Sequence, residues 1–183
     1  DMFSECESTI RSRLQDNPDI VTVNEPGTGH NWVMINNEKA PFDNVDFRRA
    51  IDAAVDKNAV VQVALNGQGS VSDSMLPECF PGVVTDGAPT YDPEKAKSLL
   101  AEAGYPNGID LRVTVNTKYQ GNVAIATAFQ QQAKAAGINV EVEQVDSAAW
   151  SDMKKNGGVD CGISNWYVDY SDPESMLYPM TKT

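Results

Sequence analysis

The sequence predicts an α/β fold in which helices flank a mixed, largely parallel β-sheet. The main observation is the order of patterns between residues 109 and 165, where three strand-like segments alternate with two helix-like segments. Right-handed crossovers through those helices would make the three strands parallel neighbours. A second observation is the continuous apolar run at residues 32–35, which predicts a further strand. With 183 residues, 41% of them hydrophobic, the chain is long enough for one domain with a substantial core.

The N-terminal part begins with a predicted amphipathic helix over residues 3–16. Its apolar residues recur at spacings of three and four: Phe3, Cys6, Ile10 and Leu14. Residues 20–24 are predicted to form a short strand. Because the apolar run at 32–35 is unbroken, we expect that strand to be covered on both faces.

Three helices are predicted from their first residues. Asp43 is expected to cap the first and Asp56 the second, while Asp92-Pro93 marks the start of the third. Between the second and third helices, residues 68–90 lose all periodicity. A loop of this length in a compact domain is usually functional or packs along another surface.

The most regular part of the chain follows. Alternating apolar residues predict strands over 109–115 and 138–142, with a helix over 125–136 between them. Asp146 is expected to start a short helix containing Trp150, and residues 159–165 form the last predicted strand. Because strict alternation is unusual in a parallel sheet covered on both sides, we expect one face to be less fully covered.

Composition and motifs favour binding over catalysis. The formal net charge of −12 argues against nucleic acid or an anionic membrane as a partner. No phosphate-binding loop, zinc-protease motif, serine-hydrolase elbow or dinucleotide fingerprint is present. His30 is the sole histidine, so it is expected to be structural or exposed. We therefore expect no cofactor and no metal.

The number and spacing of the three cysteines match neither a disulfide scaffold nor a zinc site. Cys6 and Cys161 are in phase with apolar neighbours and are expected to be buried thiols, whereas Cys79 lies in a proline-flanked loop. No apolar run reaches about 18 residues, and no signal peptide is visible. The chain opens at Asp1 inside a predicted helix and stops at Thr183 in or after another. We expect it to be part of a larger protein.

A candidate binding site follows the last predicted strand, in the sequence NWYVDYSDPESML that begins at Asn165. Asp172-Pro173 marks the start of a helix, and the loop after a strand's carboxyl end is where α/β sheets bind ligands. Asp169 stands there among three aromatic residues, Trp166, Tyr167 and Tyr170. A carboxylate among aromatic rings suits a small cation such as an ammonium group. The alternative is a surface turn with an incidental aspartate.

Two longer stretches resemble a known family. Residues 36–45 read NNEKAPFDNV and continue through Arg48-Arg49-Ala50-Ile51 to Asp56-Lys57, while residues 91–105 read YDPEKAKSLLAEAGY. Both resemble signatures of the extracellular solute-binding proteins of family 5, the peptide-, dipeptide- and nickel-binding components of ABC importers. Family members are far longer. The chain resembles one α/β lobe of a type II periplasmic binding protein, the second large lobe, covering residues 1–183.

The resemblance implies a mechanism and partners. Two lobes close on a ligand by a hinge motion, and the closed form docks on the permease of the importer. The implied partners are a peptide, the permease subunits and the first lobe of the same protein, with the protein itself a monomer. The implied location is extracytoplasmic, either in the periplasm or at the cell surface as a lipoprotein.

The resemblance also implies site residues. Peptide-binding members use a Trp-x-x-Asp element, followed by an acidic residue and proline, whose aspartate pairs with the ligand's α-ammonium. Residues 166–169 match that element, so the resemblance assigns this role to Asp169, flanked by Asn165 and the aromatic residues. Ile163 and Ser147 stand where some oligopeptide binders carry an arginine and a tryptophan. Lys154 retains a basic group of the preceding helix or is simply solvated.

Other functions stay open at this point. A nickel, metal-chelate or sugar binder on the same scaffold is the nearest alternative, although one histidine gives little support to direct metal ligation. An α/β enzyme domain whose catalytic groups lie outside these residues is the alternative from a different class.

Overall fold

The computed structural model describes residues 8–23, 27–80, 82–83, 90–170 and 172–181. Those ranges hold seven α-helices and four β-strands, in the order α1 (Ser8–Leu14), β1 (Gly29–Ile35), α2 (Val45–Ala53), α3 (Lys57–Ala64), α4 (Pro93–Glu102), β2 (Ile109–Asn116), α5 (Gln120–Ala133), β3 (Ile138–Val145), α6 (Ser147–Lys155), β4 (Cys161–Tyr167) and α7 (Glu174–Thr181). No helix in the described ranges is long and apolar enough to cross a membrane.

The four strands form one mixed sheet in the order β1-β4-β2-β3. Strand β2 runs parallel to β3 and to β4, whereas β1 pairs antiparallel with β4. Helices α5 and α6 are the crossovers between the parallel strands. The sequence prediction of a mixed, largely parallel sheet flanked by helices is confirmed.

One face of the sheet carries most of the core. On β2, Leu111, Val113 and Val115 are buried in the same apolar cluster as residues of α2, α4 and α5, which include Phe129. On the opposite face, Arg112 is exposed and the short helix α6 has no buried residue. The alternation along β2 therefore reflects one well-covered face and one partly covered face.

Helix starts follow the expected capping chemistry, with one correction. Asp56, Asp92 and Asp146 each accept a hydrogen bond from a backbone N–H in the first turn of α3, α4 and α6 respectively. The cap of α2 is Asn44, not Asp43 as predicted, because the helix begins at Val45. The Asn44 side chain accepts from the backbone N–H of Asp46 at 2.8 Å.

The expectations for the N-terminal part need three corrections. Helix α1 ends at Leu14, and the start of the predicted helix, including Cys6, lies outside the described residues. Residues 20–23 form no strand, and Val21 is 89% exposed, because no described strand pairs with them. Strand β1 is an edge strand and only partly buried, so it is not covered on both faces.

Three further expectations concern the remainder of the chain. Strand β4 covers Cys161–Tyr167, two residues later than predicted. The described residues between 68 and 83 contain no helix or strand, as expected, and Phe80 is buried there at 6% exposure. Cys161 is a buried free thiol, as predicted, and burial, followed by the charge of Asp160, raises its pKa to about 12.

Candidate ligand-binding site

A cavity of about 360 Å³ lies at the carboxyl ends of β2 and β4, the edge at which parallel α/β sheets bind ligands. It is lined by residues of β2, α6 and β4, by the residue that precedes α5 and by a residue of the loop after β4: Asn116, Tyr119, Trp150, Lys154, Ser164, Asn165, Trp166, Tyr167 and Asp169. Five of the seven residues predicted from sequence are among them. The two that do not line it are Ser147 and Tyr170.

Ser147 and Tyr170 both lie next to the cavity. The Ser147 hydroxyl donates to Asn116 Oδ1 at 3.2 Å, so the serine supports a lining residue. Tyr170 follows Asp169 by one position but is 54% exposed and is not among the lining residues. Their sequence assignment as ligand contacts therefore has no support from the cavity.

The end of β4 forms one wall. Asn165, Trp166 and Tyr167 are the last three residues of the strand, whereas the sequence had placed the two aromatic residues in the following loop. The buried side chain of Asn122, at the start of α5, donates to Asn165 Oδ1 at 3.0 Å. This hydrogen bond joins the wall to α5 and satisfies a buried polar group.

Asp169 is positioned by the helix that follows it. Its backbone N–H donates to Ser175 Oγ at 2.8 Å, and Ser175 is buried within α7. Asp172 accepts from the backbone N–H of Glu174 at 2.8 Å, as the predicted helix start requires. The Asp169 carboxylate itself is exposed and has no ion-pair partner in the described part of the chain.

A basic side chain lines the same cavity as this carboxylate. Lys154, in the last turn of α6, is exposed and makes no ion pair with any described residue. The cavity therefore has one negative and one positive side chain along its lining. Both are available to a ligand that carries charges of both signs.

Four of the seven other residues that line the cavity are aromatic. Trp150 packs over Gly162 of β4, where an added methyl carbon would lie only 3.0 Å from its Cη2. The Trp166 indole Nε1 is buried and has no hydrogen-bond acceptor among the described residues. With Tyr119 and Tyr167, four aromatic residues line the cavity together with the two charged groups.

The electrostatic potential is negative around the loop that contains Asp169. The pKa of the Tyr170 phenol is raised above its ordinary value by loss of surrounding water and then by the carboxylates of Glu174, Asp172 and Asp169. Since Tyr170 is more than half exposed, the three nearby carboxylates account for this shift better than burial does. The same field would attract a cationic group to this loop.

Four lining residues were not predicted as site residues: Asn116, Tyr119, Trp150 and Ser164. Asn116 is the last residue of β2, and the rule that ligands bind at the carboxyl ends of parallel strands was enough to find it. Ser164 lies within the predicted last strand, whereas the places of Tyr119 and Trp150 in the cavity depend on how α5 and α6 pack, which the sequence pattern does not specify.

His30 lies outside this cavity. It is half-buried, its ring stacks on Trp32 with centroids 6.1 Å apart, and burial lowers its pKa. This environment supports a structural role. A larger groove of about 590 Å³ runs along β1, but none of the predicted site residues lines it. No group of three metal-ligating side chains is present among the described residues.

Comparison with known proteins identifies relatives along the whole chain. The model of the "bacterial extracellular solute-binding proteins, family 5 Middle" matches residues 1–183. Heme-binding protein A of Haemophilus influenzae is 30% identical over 176 residues, covering 92% of this chain and 32% of the relative. The glutathione-binding protein GsiB of Pectobacterium atrosepticum is 30% identical over 159 residues, covering 86% of this chain and 31% of the relative.

Solved structures give the same result. The periplasmic binding protein DppA of Helicobacter pylori, in complex with peptide STSA, is 27% identical and superimposes with a TM-score of 0.84 over 91% of this chain and 32% of that chain. The dipeptide-binding protein of Pseudoalteromonas sp. SM9913, in complex with Met-Leu, is 27% identical with a TM-score of 0.83, covering 94% and 35%. The chain thus spans about a third of the length of these relatives.

Proposed function

The chain belongs to the bacterial extracellular solute-binding proteins of family 5, and from this premise we propose that the full-length protein binds di- or oligopeptides outside the cytoplasm. It would deliver them to the membrane permease of an ABC importer and would not be an enzyme. The observation that carries the proposal is that two opposite charges, Asp169 and Lys154, line one small aromatic cavity and form no ion pair with any residue that the structure describes.

Asp169 suits the amino end of a peptide. An α-ammonium that leaves water needs a fixed counter-charge, and a carboxylate whose backbone is hydrogen-bonded to Ser175 provides one. The neighbouring rings of Trp166 and Tyr167 add the negative faces that attract cations. The three carboxylates around Tyr170 act in the same direction.

Lys154 suits a carboxylate at the other end of a short ligand. Because Lys154 and Asp169 line one cavity of about 360 Å³, the two charged ends of a small zwitterion lie within reach of both. The polar side chains of Asn116 and Ser164 are buried beside them and are suited to the ligand's amide groups. The recognition proposed is therefore of the peptide backbone and its termini.

The relatives support this class of ligand. The solved structures of the two peptide-binding relatives contain peptide STSA and Met-Leu, and another relative is named for glutathione. Each of these ligands is a peptide with a free ammonium and at least one carboxylate. Since the chain spans about a third of these relatives, we propose that residues 1–183 form one lobe and that the remaining wall of the cleft comes from another.

A metal chelate is the second candidate, because one relative is a heme-binding protein at 30% identity. Four aromatic side chains would contact the faces of a flat macrocycle, and Lys154 would pair with a carboxylate of such a ligand. A peptide is favoured because a heme has no ammonium group with which Asp169 could pair. Direct nickel ligation has the least support, since His30 lies outside the cavity.

The proposal is tested by identifying the ligand that the full-length protein binds. Mass spectrometry of the full-length protein, purified without denaturation, should identify bound peptides, and calorimetry with dipeptides and tetrapeptides should confirm binding. Lys154→Met should weaken binding of peptides with a free carboxyl terminus by about 1–3 kcal/mol and leave carboxamide peptides unaffected. Tight binding of hemin with no peptide binding would contradict the proposal.

A further inference from the structure

Gly29 and Tyr167 face each other at one corner of the sheet. Gly29 is the first residue of β1, Tyr167 is the last of β4, and the antiparallel register places them directly opposite. A methyl carbon built on Gly29 would lie 2.5 Å from Cε1, 2.9 Å from Cδ1 and 3.2 Å from Cζ of the Tyr167 ring. The ring therefore occupies the space that any side chain at position 29 would need.

Nothing in the backbone explains a glycine at this position. Gly29 does not have the positive φ that favours glycine, unlike Gly104 or Gly137. Glycine also weakens a strand, because it adds backbone entropy to the unfolded state and offers no side chain to pack. The three atoms nearest to the added carbon all belong to the Tyr167 ring, so the ring is the feature that the glycine accommodates.

The position of this ring matters for the candidate site. Tyr167 lines the cavity two residues before Asp169, and it is 65% exposed, so little else in the described chain holds it. An aromatic face beside a carboxylate adds a cation–π attraction for an ammonium ion to the charge attraction. A ring that moved off β1 would change the distance between these two groups.

We propose that Gly29 is a positioning residue of the binding site. Because it carries no side chain, the Tyr167 ring lies across β1 and forms a fixed aromatic wall beside Asp169, against the ammonium end of the ligand. This inference rests on the proposed function. It adds that a residue of the antiparallel edge strand, outside the cavity lining, determines affinity for the amino terminus of a peptide.

The test uses four variants of the full-length protein: Gly29→Ala, Tyr167→Ala, the double variant and Gly27→Ala. Gly27→Ala is the matched control, since its added carbon meets nothing closer than 3.8 Å. Calorimetry with a dipeptide should show a loss of roughly three- to thirty-fold for Gly29→Ala and for Tyr167→Ala, and none for Gly27→Ala. In the Tyr167→Ala background, Gly29→Ala should have no further effect.

Folding should not account for the loss. Because the added methyl displaces only an exposed side-chain ring and no backbone atom, Gly29→Ala should keep the thermal midpoint of the parent protein. If Gly29→Ala binds dipeptide as tightly as the parent, or weakens binding equally in the Tyr167→Ala background, the proposal is overturned.

A ligand-independent measurement separates this proposal from the proposed function. In protein labelled at glycine, the Gly29 α-protons should show an aromatic ring-current shift that disappears in Tyr167→Ala. If this shift is absent from the parent, the ring contact does not exist and Gly29 has no positioning role. If the shift is present but the parent binds no peptide, the proposed function fails, and Gly29 is then only a packing residue.

Discussion

Strand β4 differs between its two ends in how closely the rest of the chain contacts it. At its beginning, the Lys39 ammonium donates to Asp160 Oδ1 at 2.7 Å and to the Gly157 carbonyl at 2.8 Å, and Cys161 and Ile163 are fully buried. At its end, Tyr167 is largely exposed, and Asp169, two residues beyond, is exposed as well. The start of β4 thus contributes to stability, whereas the residues at and just after its end are exposed and available to a ligand.

Substitutions at the two ends of β4 should therefore have different effects, on folding at its start and on binding at its end. Side chains near the start of β4 are surrounded by protein in the unliganded state, so their loss leaves a cavity. Side chains at its end face a cleft, so their loss removes little from the free protein. Each of the following predictions tests this contrast, and they run from the largest expected effect on stability to the smallest.

The largest effect is expected at Ile163, which is 0% exposed in the core. Ile163→Ala should lower the free energy of unfolding by about 2–5 kcal/mol, because it removes buried methyl groups and leaves a cavity. Urea unfolding of the 183-residue chain measures this change. Tyr167→Ala on the same strand is the control, and it should change the free energy by less than about 0.5 kcal/mol. Equal losses of stability for the two variants would contradict the proposed difference between the two ends of β4.

A smaller effect is expected at Gly162. An added methyl carbon there would lie 2.7 Å from the Thr114 carbonyl oxygen on β2 and 3.0 Å from Trp150. Since the first neighbour is backbone and cannot rotate away, Gly162→Ala should cost about 1–3 kcal/mol of stability. The measurement is again urea unfolding, with Gly27→Ala as the matched substitution. Unchanged stability would mean that β2 and β4 separate more easily than their pairing indicates.

The smallest effect is expected from the ion pair of Lys39 and Asp160. Their side chains are 47% and 52% exposed, so solvent screens the attraction between them. A double-mutant cycle with Lys39→Met and Asp160→Asn should give a coupling free energy of about 0.2–1 kcal/mol. The coupling should shrink in 1 M salt. A coupling well above this range would show that the Lys39–Asp160 ion pair, and not the core, holds the start of β4.

The sequence predicted correctly those structural features that depend only on residues close together in the chain. Asp56 and Asp146 were identified as helix caps because a cap bonds to its own helix, and the strand alternation around Val113 reports a single buried face. The prediction failed at Asp43, since the side chain of the next residue, Asn44, can also accept from the first turn and is the actual cap. Nothing local distinguishes the two residues.

The candidate site was predictable only in part, for the same reason. The run ending in Asp169 is continuous in sequence, so the resemblance and the strand-end rule both located it. Trp150 comes from α6 and Tyr119 directly precedes α5, and their place in the cavity depends on the β2–β4 pairing and on the packing of α6 over Gly162. Such long-range packing has no counterpart in local sequence spacing.

The most direct test of this account is a thermodynamic cycle on the full-length protein that combines Asp169→Asn with N-acetylation of a dipeptide ligand. If the Asp169 carboxylate pairs with the α-ammonium, each change alone should weaken binding by about 2–5 kcal/mol, or roughly thirty- to several-thousand-fold. Together they should cost little more than either alone, and the thermal midpoint without ligand should be unchanged. Full discrimination between free and acetylated dipeptides by the Asp169→Asn variant would contradict the account.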